Sequence, residues 1–214
     1  RFGKWREIAE APMPENAELY CVSTSMHHYA KGIAYAAMKQ FTAAESQKTC
    51  FYDSLQRISP TRKFFNNPAL QTLGVGEKML LGELEYHKGN HEVAFEHLRE
   101  AVQRSDSLHY SEPWPWMHPP RHALGALLME QGQHAEAEKV YREDLGLSDT
   151  VLRCAQHPNN VWALHGLVEC LTNRGETEES GNFTTLLESA IAKADFTVTS
   201  SCCCREKVRD PAVL

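Results

Sequence analysis

The segment His165-Gly-Leu-Val-Glu169 places an imidazole and a carboxylate four residues apart, on one face if the chain there is helical. Such a pair can grip a cationic or amide group, or supply two ligands to a divalent ion. A second cluster is "SSCCCRE", with Cys202, Cys203 and Cys204 in succession, and a third is the C-x-x-H pair Cys154 and His157. Neighbouring cysteines in extended chain point in different directions, so three in a row do not chelate one ion together; a flexible or strand-like tail with free thiols is expected. Motifs of catalysis are missing: no G-x-S-x-G elbow, no phosphate-cradling glycine loop followed by Lys-Ser/Thr, no H-E-x-x-H. "GVGEK" (Gly74–Lys78) lacks a preceding strand and sits inside a helical pattern. Cys170 follows His165 by five residues on one helix, which does not place the two for proton transfer.

Composition narrows the classes further. The formal net charge is −6 and no Lys/Arg block occurs, which argues against nucleic acid as a partner. No apolar run approaches the ~18 residues needed to cross a bilayer, so no membrane role is expected. The seven cysteines are odd in number and irregularly spaced, and Cys21, Cys50, Cys154 and Cys170 stand singly in apolar or helical contexts, the pattern of a reduced, cytoplasmic chain. The opening "RFGKWREIAEAP" has neither an initiator Met nor a signal-peptide pattern, so a fragment or a processed chain is expected.

The elements that must position these residues come from an internal repeat. Gly82, Gly89, Ala94, Leu98 and Ala101 form a frame that recurs 43 residues later as Gly125, Gly132, Ala137, Tyr141 and Asp144. A further 43 residues give Val168, Gly175, Ser180, Thr184 and Leu187; 50 residues back lie Gly32, Lys39, Ala44, Lys48 and Phe51. Each frame reads as a helical hairpin: a small residue in helix A for close approach, a glycine that ends A in the left-handed conformation, and an alanine in helix B that packs on A. Helices are predicted near 4–10, 25–39, 42–57, 68–88, 91–105, 118–131, 134–145, 160–174 and 178–194. The four prolines of "SEPWPWMHPP" make that stretch a loop until Pro119 and Pro120 open the next helix. Its tryptophans are expected to fold back onto the groove or fill a junction, because their burial offsets the cost of ordering the loop.

"LGELEYHKGNHEVAFEHLREA" and "LGALLMEQGQHAEAEKVYRED" resemble the tetratricopeptide repeat (TPR), as does "AKGIAYAAMKQFTAAES" with Lys39 at the turn and, more loosely, "LVECLTNRGETEES". The resemblance covers roughly residues 25–194, with longer spacers than the family's usual unit. It implies an all-α fold, a right-handed superhelical array of about four TPR-like hairpins (an α-solenoid). The organisation would be a lead-in helix and linker at 1–24, the repeat domain at 25–194, and a Cys-containing tail at 195–214.

In that family the A helices line a concave, ligand-binding face. Carried over position by position, the resemblance implies Tyr29 and Ile33 in the first copy and Met79, Glu83, Tyr86 and His87 in the second. It implies His122, Ala126, Met129 and Glu130 in the third, and His165, Glu169, Thr172 and Asn173 in the fourth, with Trp162 at the rim. The Lys/Asn/Arg set with which chaperone-binding members grip a terminal carboxylate is absent apart from Asn173. The acidic groove residues point to a basic or amide-rich peptide instead.

Three functions follow. The first is a non-enzymatic scaffold binding a protein or a basic peptide, with Tyr86, His122, Trp162 and His165 as aromatic anchors, Glu83, Glu130 and Glu169 as polar contacts, and His87 alongside. The second is a metal-binding or hydrolytic protein in which His122, His165 and Glu169, with Glu83 approaching, hold a divalent ion; otherwise no cofactor is expected. The third is a repeat module for self-association into a homo-oligomer.

Overall fold

The computed structural model describes residues 1–205. Among these the helices are α1 (Trp5–Glu10), α2 (Cys21–Ala37), α3 (Phe41–Leu55), α4 (Ala69–Lys88), α5 (His91–Asp106), α6 (Pro120–Glu130), α7 (His134–Leu145), α8 (Val161–Asn173) and α9 (Thr177–Ile191). The fold is all-α, built of adjacent packed helix pairs, and helices A and B of the four hairpins are α2/α3, α4/α5, α6/α7 and α8/α9. Two small elements lie in the spacers: a two-stranded hairpin, β1 (Lys63–Phe64) with β2 (Asn67–Pro68), and a 3-10 turn at Arg153–Ala155. Two-residue strands carry too little period-2 signal to be read from sequence. No described helix is long and apolar enough to cross a membrane.

The turns show the device expected of them. Gly89, Gly132 and Gly175 end their A helices at φ +93°, +74° and +79°. In the first hairpin Lys39 adopts the same left-handed conformation at φ 59°, which a side chain tolerates only at a cost.

The chain divides into two compact units, one of residues Phe2–Pro120 and one of Arg1 with Arg121 onward. In the Phe2–Pro120 unit α4 packs on both α2 and α5, with α3 against α2. The proline-rich loop folds back here. Trp116 is buried, its ring 5.1 Å from that of Tyr29 in an edge-to-face contact, and its Nε1 donates to Met79 Sδ at 3.1 Å. Asn67, buried in the small hairpin, ties the loop down by donating to His109 O and accepting from His109 N.

In the other unit Tyr141 of α7 is the central side chain. A Cβ placed on Gly125 or on Gly166 would come within 2.5 Å or 2.2 Å of its ring. Glycine at both positions lets α6 and α8 close on the two sides of one aromatic ring. Val168 holds the frame position in the fourth hairpin, but the glycine that meets Tyr141 is Gly166, two residues earlier. Asn160 caps α8 by accepting from the backbone N–H of Trp162 and Ala163, which fixes where Trp162 emerges.

Candidate functional site

The expected groove residues fall into two groups. Glu83, Tyr86 and His87 on α4 are buried, Glu83 to 1% exposure. Tyr86 stacks on His91 at 4.7 Å and meets Phe95 edge-on at 6.0 Å, so it serves the packing of α4 on α5. Tyr29 and Met79, the equivalent positions nearer the helix starts, are covered by Trp116. These residues were expected as open anchors, and the structure places them in the interior. For Tyr29 and Met79 the physical reason is the loop, since Trp116 finds more apolar surface on the A-helix face than in water; for Tyr86 it is the packing of α4 on α5.

His122 is likewise an interior residue, at 0% exposure. Its Nε2 lies 2.9 Å from Asp144 Oδ2 and its Nδ1 lies 2.9 Å from Arg1 Nη1. Arginine can only donate, so Nδ1 accepts and Nε2–H donates to the carboxylate. The second carboxylate oxygen accepts from His157 Nδ1 at 2.9 Å, and the backbone N–H of His157 donates to Asp144 O at 2.6 Å. Gly146, left-handed at the end of α7, turns the chain so that His157 can return to Asp144. Burial alone would raise the Asp144 carboxyl, but its partners His122 and His157 outweigh it and hold the group well below the usual carboxylate range. This arrangement binds a buried charge firmly and leaves His122 no face to offer a partner. That corrects its expected role as an anchor.

Trp162, His165, Glu169 and Glu130 belong to the second group. Trp162 stacks on Phe196 with ring centroids 5.1 Å apart and planes inclined 23°, and the Arg1 guanidinium lies 4.9 Å from its ring centroid. Both carboxylate oxygens of Glu169 accept from Nη1 of Arg205, at 2.8 and 2.7 Å. Burial disfavours the Arg205 charge, but Glu169, with Tyr141 and Glu130 further off, keeps its pKa above the ordinary arginine value. His165 Nδ1 is 4.0 Å from Glu169, and burial, helped by Arg205 and opposed by Glu169, lowers the imidazole pKa. Between these points Ser201 Oγ hydrogen-bonds Tyr141 Oη at 2.6 Å and donates to His122 O at 3.2 Å.

The described part of the tail, expected loose, is therefore packed, with Val198, Ser200, Ser201, Cys202, Cys204 and Arg205 buried, and the rest of the expected tail, 206–214, lies outside the described residues. All seven cysteines are free thiols, and burial pushes Cys170 up to about 11, leaving little thiolate at neutral pH. His122, His165 and Glu169 do not converge as metal ligands. His122 is committed to Asp144 and Glu169 to Arg205, and no group of three His, Cys, Asp or Glu among the described residues has ligand geometry.

Residues missed from sequence are Asp144, Phe196, Ser201 and Arg205; His157 was singled out only with Cys154, and its partner is Asp144. Asp144 left a trace: it occupies the frame position held by Ala101 and Leu187, both buried, and a carboxylate in a core slot must be paired. Arg205 was visible only as the first of three cations after the cysteine run.

Residues 121–158, which comprise α6, α7, the 3-10 turn and the Asp144 cluster, match the family model described as tetratricopeptide repeat. That match and the described helix pairs fit a tetratricopeptide-like helical repeat protein. No curated protein and no solved structure matches the chain.

Proposed function

We propose that the chain is a non-enzymatic binding module for a protein or peptide partner, and that it recognises a basic segment on the A-helix face of α6 and α8. The observation that carries this reading is Glu169 on the A helix α8, both of whose carboxylate oxygens accept from one guanidinium nitrogen. A half-buried carboxylate, with an indole two turns away on the same helix, is a recognition surface for a basic peptide, since the low local dielectric strengthens a charge-assisted hydrogen bond and the ring offers apolar contact to a second residue. The family match at residues 121–158 supports a role in protein interaction, because repeats of this kind generally bind proteins or peptides.

The test is an array of short arginine-bearing and acidic peptides, with hits measured by calorimetry on the whole chain. Arginine-bearing peptides are expected to bind, and Glu130→Gln with Glu169→Gln together to weaken them by about tenfold or more, the loss of a desolvated charge pair. If acidic peptides bind equally well, or the double substitution changes nothing, the reading fails.

A further inference from the structure

Within the unit of Arg1 and Arg121 onward, residues 196–205 touch the A-helix face and the wall behind it. Phe196 stacks on Trp162, Ser201 bonds Tyr141 and the carbonyl of His122, and Arg205 bonds Glu169. Trp162 and Glu169 are separated by seven residues on α8, about 10 Å at 1.5 Å per residue. The ten residues from Phe196 to Arg205 bend at Phe196 and at Ser200–Ser201 and turn at Cys203–Cys204, so the segment folds compactly between these two anchors. The anchors are side chains: one aromatic, one hydroxyl five residues on, one guanidinium four residues beyond that. An aromatic anchor, a central hydrogen bond and a charged clamp are how a groove holds a peptide segment.

We infer that residues 196–205 are a built-in ligand of this face, and that the external partner is a peptide of the same chemistry, an aromatic residue followed nine positions later by arginine, which must displace the tail to bind. The inference rests on the peptide-binding reading above. Occupancy of the site by a tethered segment makes the free site scarce, so affinity for an external peptide falls by the fraction of time the tail is bound. Selectivity follows from the same geometry. Lysine in place of arginine brings a more strongly hydrated ammonium that costs more to desolvate beside Glu169, and an aliphatic residue in place of the aromatic loses the stack on Trp162.

The experiment compares the native chain with a Phe196→Ala, Arg205→Ala variant, both titrated with a synthetic, reduced peptide of residues 196–205. The variant is expected to bind the peptide at least about tenfold more tightly than the native chain, and Glu169→Gln added to the variant to remove that binding. Equal binding by both chains, or no binding by a variant of unchanged helicity, overturns the inference. Arginine-bearing array peptides then separate the two readings: if they still bind, the scaffold stands and the tail is only structural; if they do not, both fall. Should the variant unfold, hydrogen exchange on the native chain decides. A bound array peptide must speed exchange of the amides at 198–205 while α8 stays protected, and binding with no such change overturns the inference.

Discussion

The carboxylate of Asp144 holds His122 at 2.9 Å on one oxygen and His157 at 2.9 Å on the other, wholly inside the unit formed by α6 to α9. Removing the acid would leave the two imidazoles without their common acceptor, and would loosen His122, the partner of Arg1. Asp144→Asn is therefore expected to destabilise the chain by about 3 kcal/mol, the usual cost of breaking a buried ionic network from one side. Urea unfolding followed by circular dichroism measures it; a loss below about 0.5 kcal/mol, the range of surface changes, would show that the network contributes little.

Two groups of this unit make its stability depend on pH, in separate windows. The Asp144 pKa is lower folded than unfolded, so its contribution is complete above the ordinary value of 3.8 and is lost as pH falls through the folded pKa. The His165 pKa is also lower folded than unfolded. Below the ordinary value of 6.5 the unfolded chain takes up this proton more readily, and stability falls as the solution is acidified. The groups facing His165 are Glu169 on its own helix and Arg205 on the tail. His165→Gln should flatten the stability profile just below pH 6.5 and leave the steep acid limb in place. An unchanged profile in that window would remove His165 from the account.

Lys39 sits where the other hairpins carry glycine, at φ 59°. Lys39→Gly should relieve the left-handed strain and stabilise by about 0.5–1 kcal/mol net of the greater freedom it gives the unfolded chain. Gly132→Ala, at φ +74° in the third hairpin, should change stability in the opposite direction. Finding the same sign for both substitutions would show that factors other than turn geometry dominate.

The contact of Tyr141 with Gly166 leaves no room for a methyl group, which would lie 2.2 Å from the ring. Gly166→Ala should cost about 1–3 kcal/mol through overpacking, despite the better helix propensity of alanine. Gly181, in helix α9 and with open space at its Cβ, is the control, where alanine should be neutral or stabilising. Thermal melts of the two variants separate the effects.

Trp116 and Trp114 share a loop but not a role. Trp116→Ala should cost about 3–5 kcal/mol, as for a large buried side chain. Trp114, 39% exposed, should tolerate alanine far better. Indole fluorescence during unfolding reports both; a comparable loss at the two sites would refute the difference in burial.

Sequence by itself determined the helices and their pairing. A glycine at the turn and small residues at the A–B contact act through local backbone geometry and near-neighbour packing, so Gly89, Gly132, Ala94 and Ala137 announce hairpins wherever the rest of the chain lies. It also named Trp162, Glu130, His165 and Glu169 as a face with chemistry, because repeat register carries from copy to copy. What covers that face was decided by tertiary structure. Whether Glu169 meets solvent, a metal or Arg205 depends on a segment 36 residues away, and whether His122 is an anchor or a core residue depends on Asp144 and on Arg1, 121 residues back. Such long-range contacts leave no periodic trace in the chain, since they are set by the shape of the packed helices and the drive to bury Phe196 and Trp116.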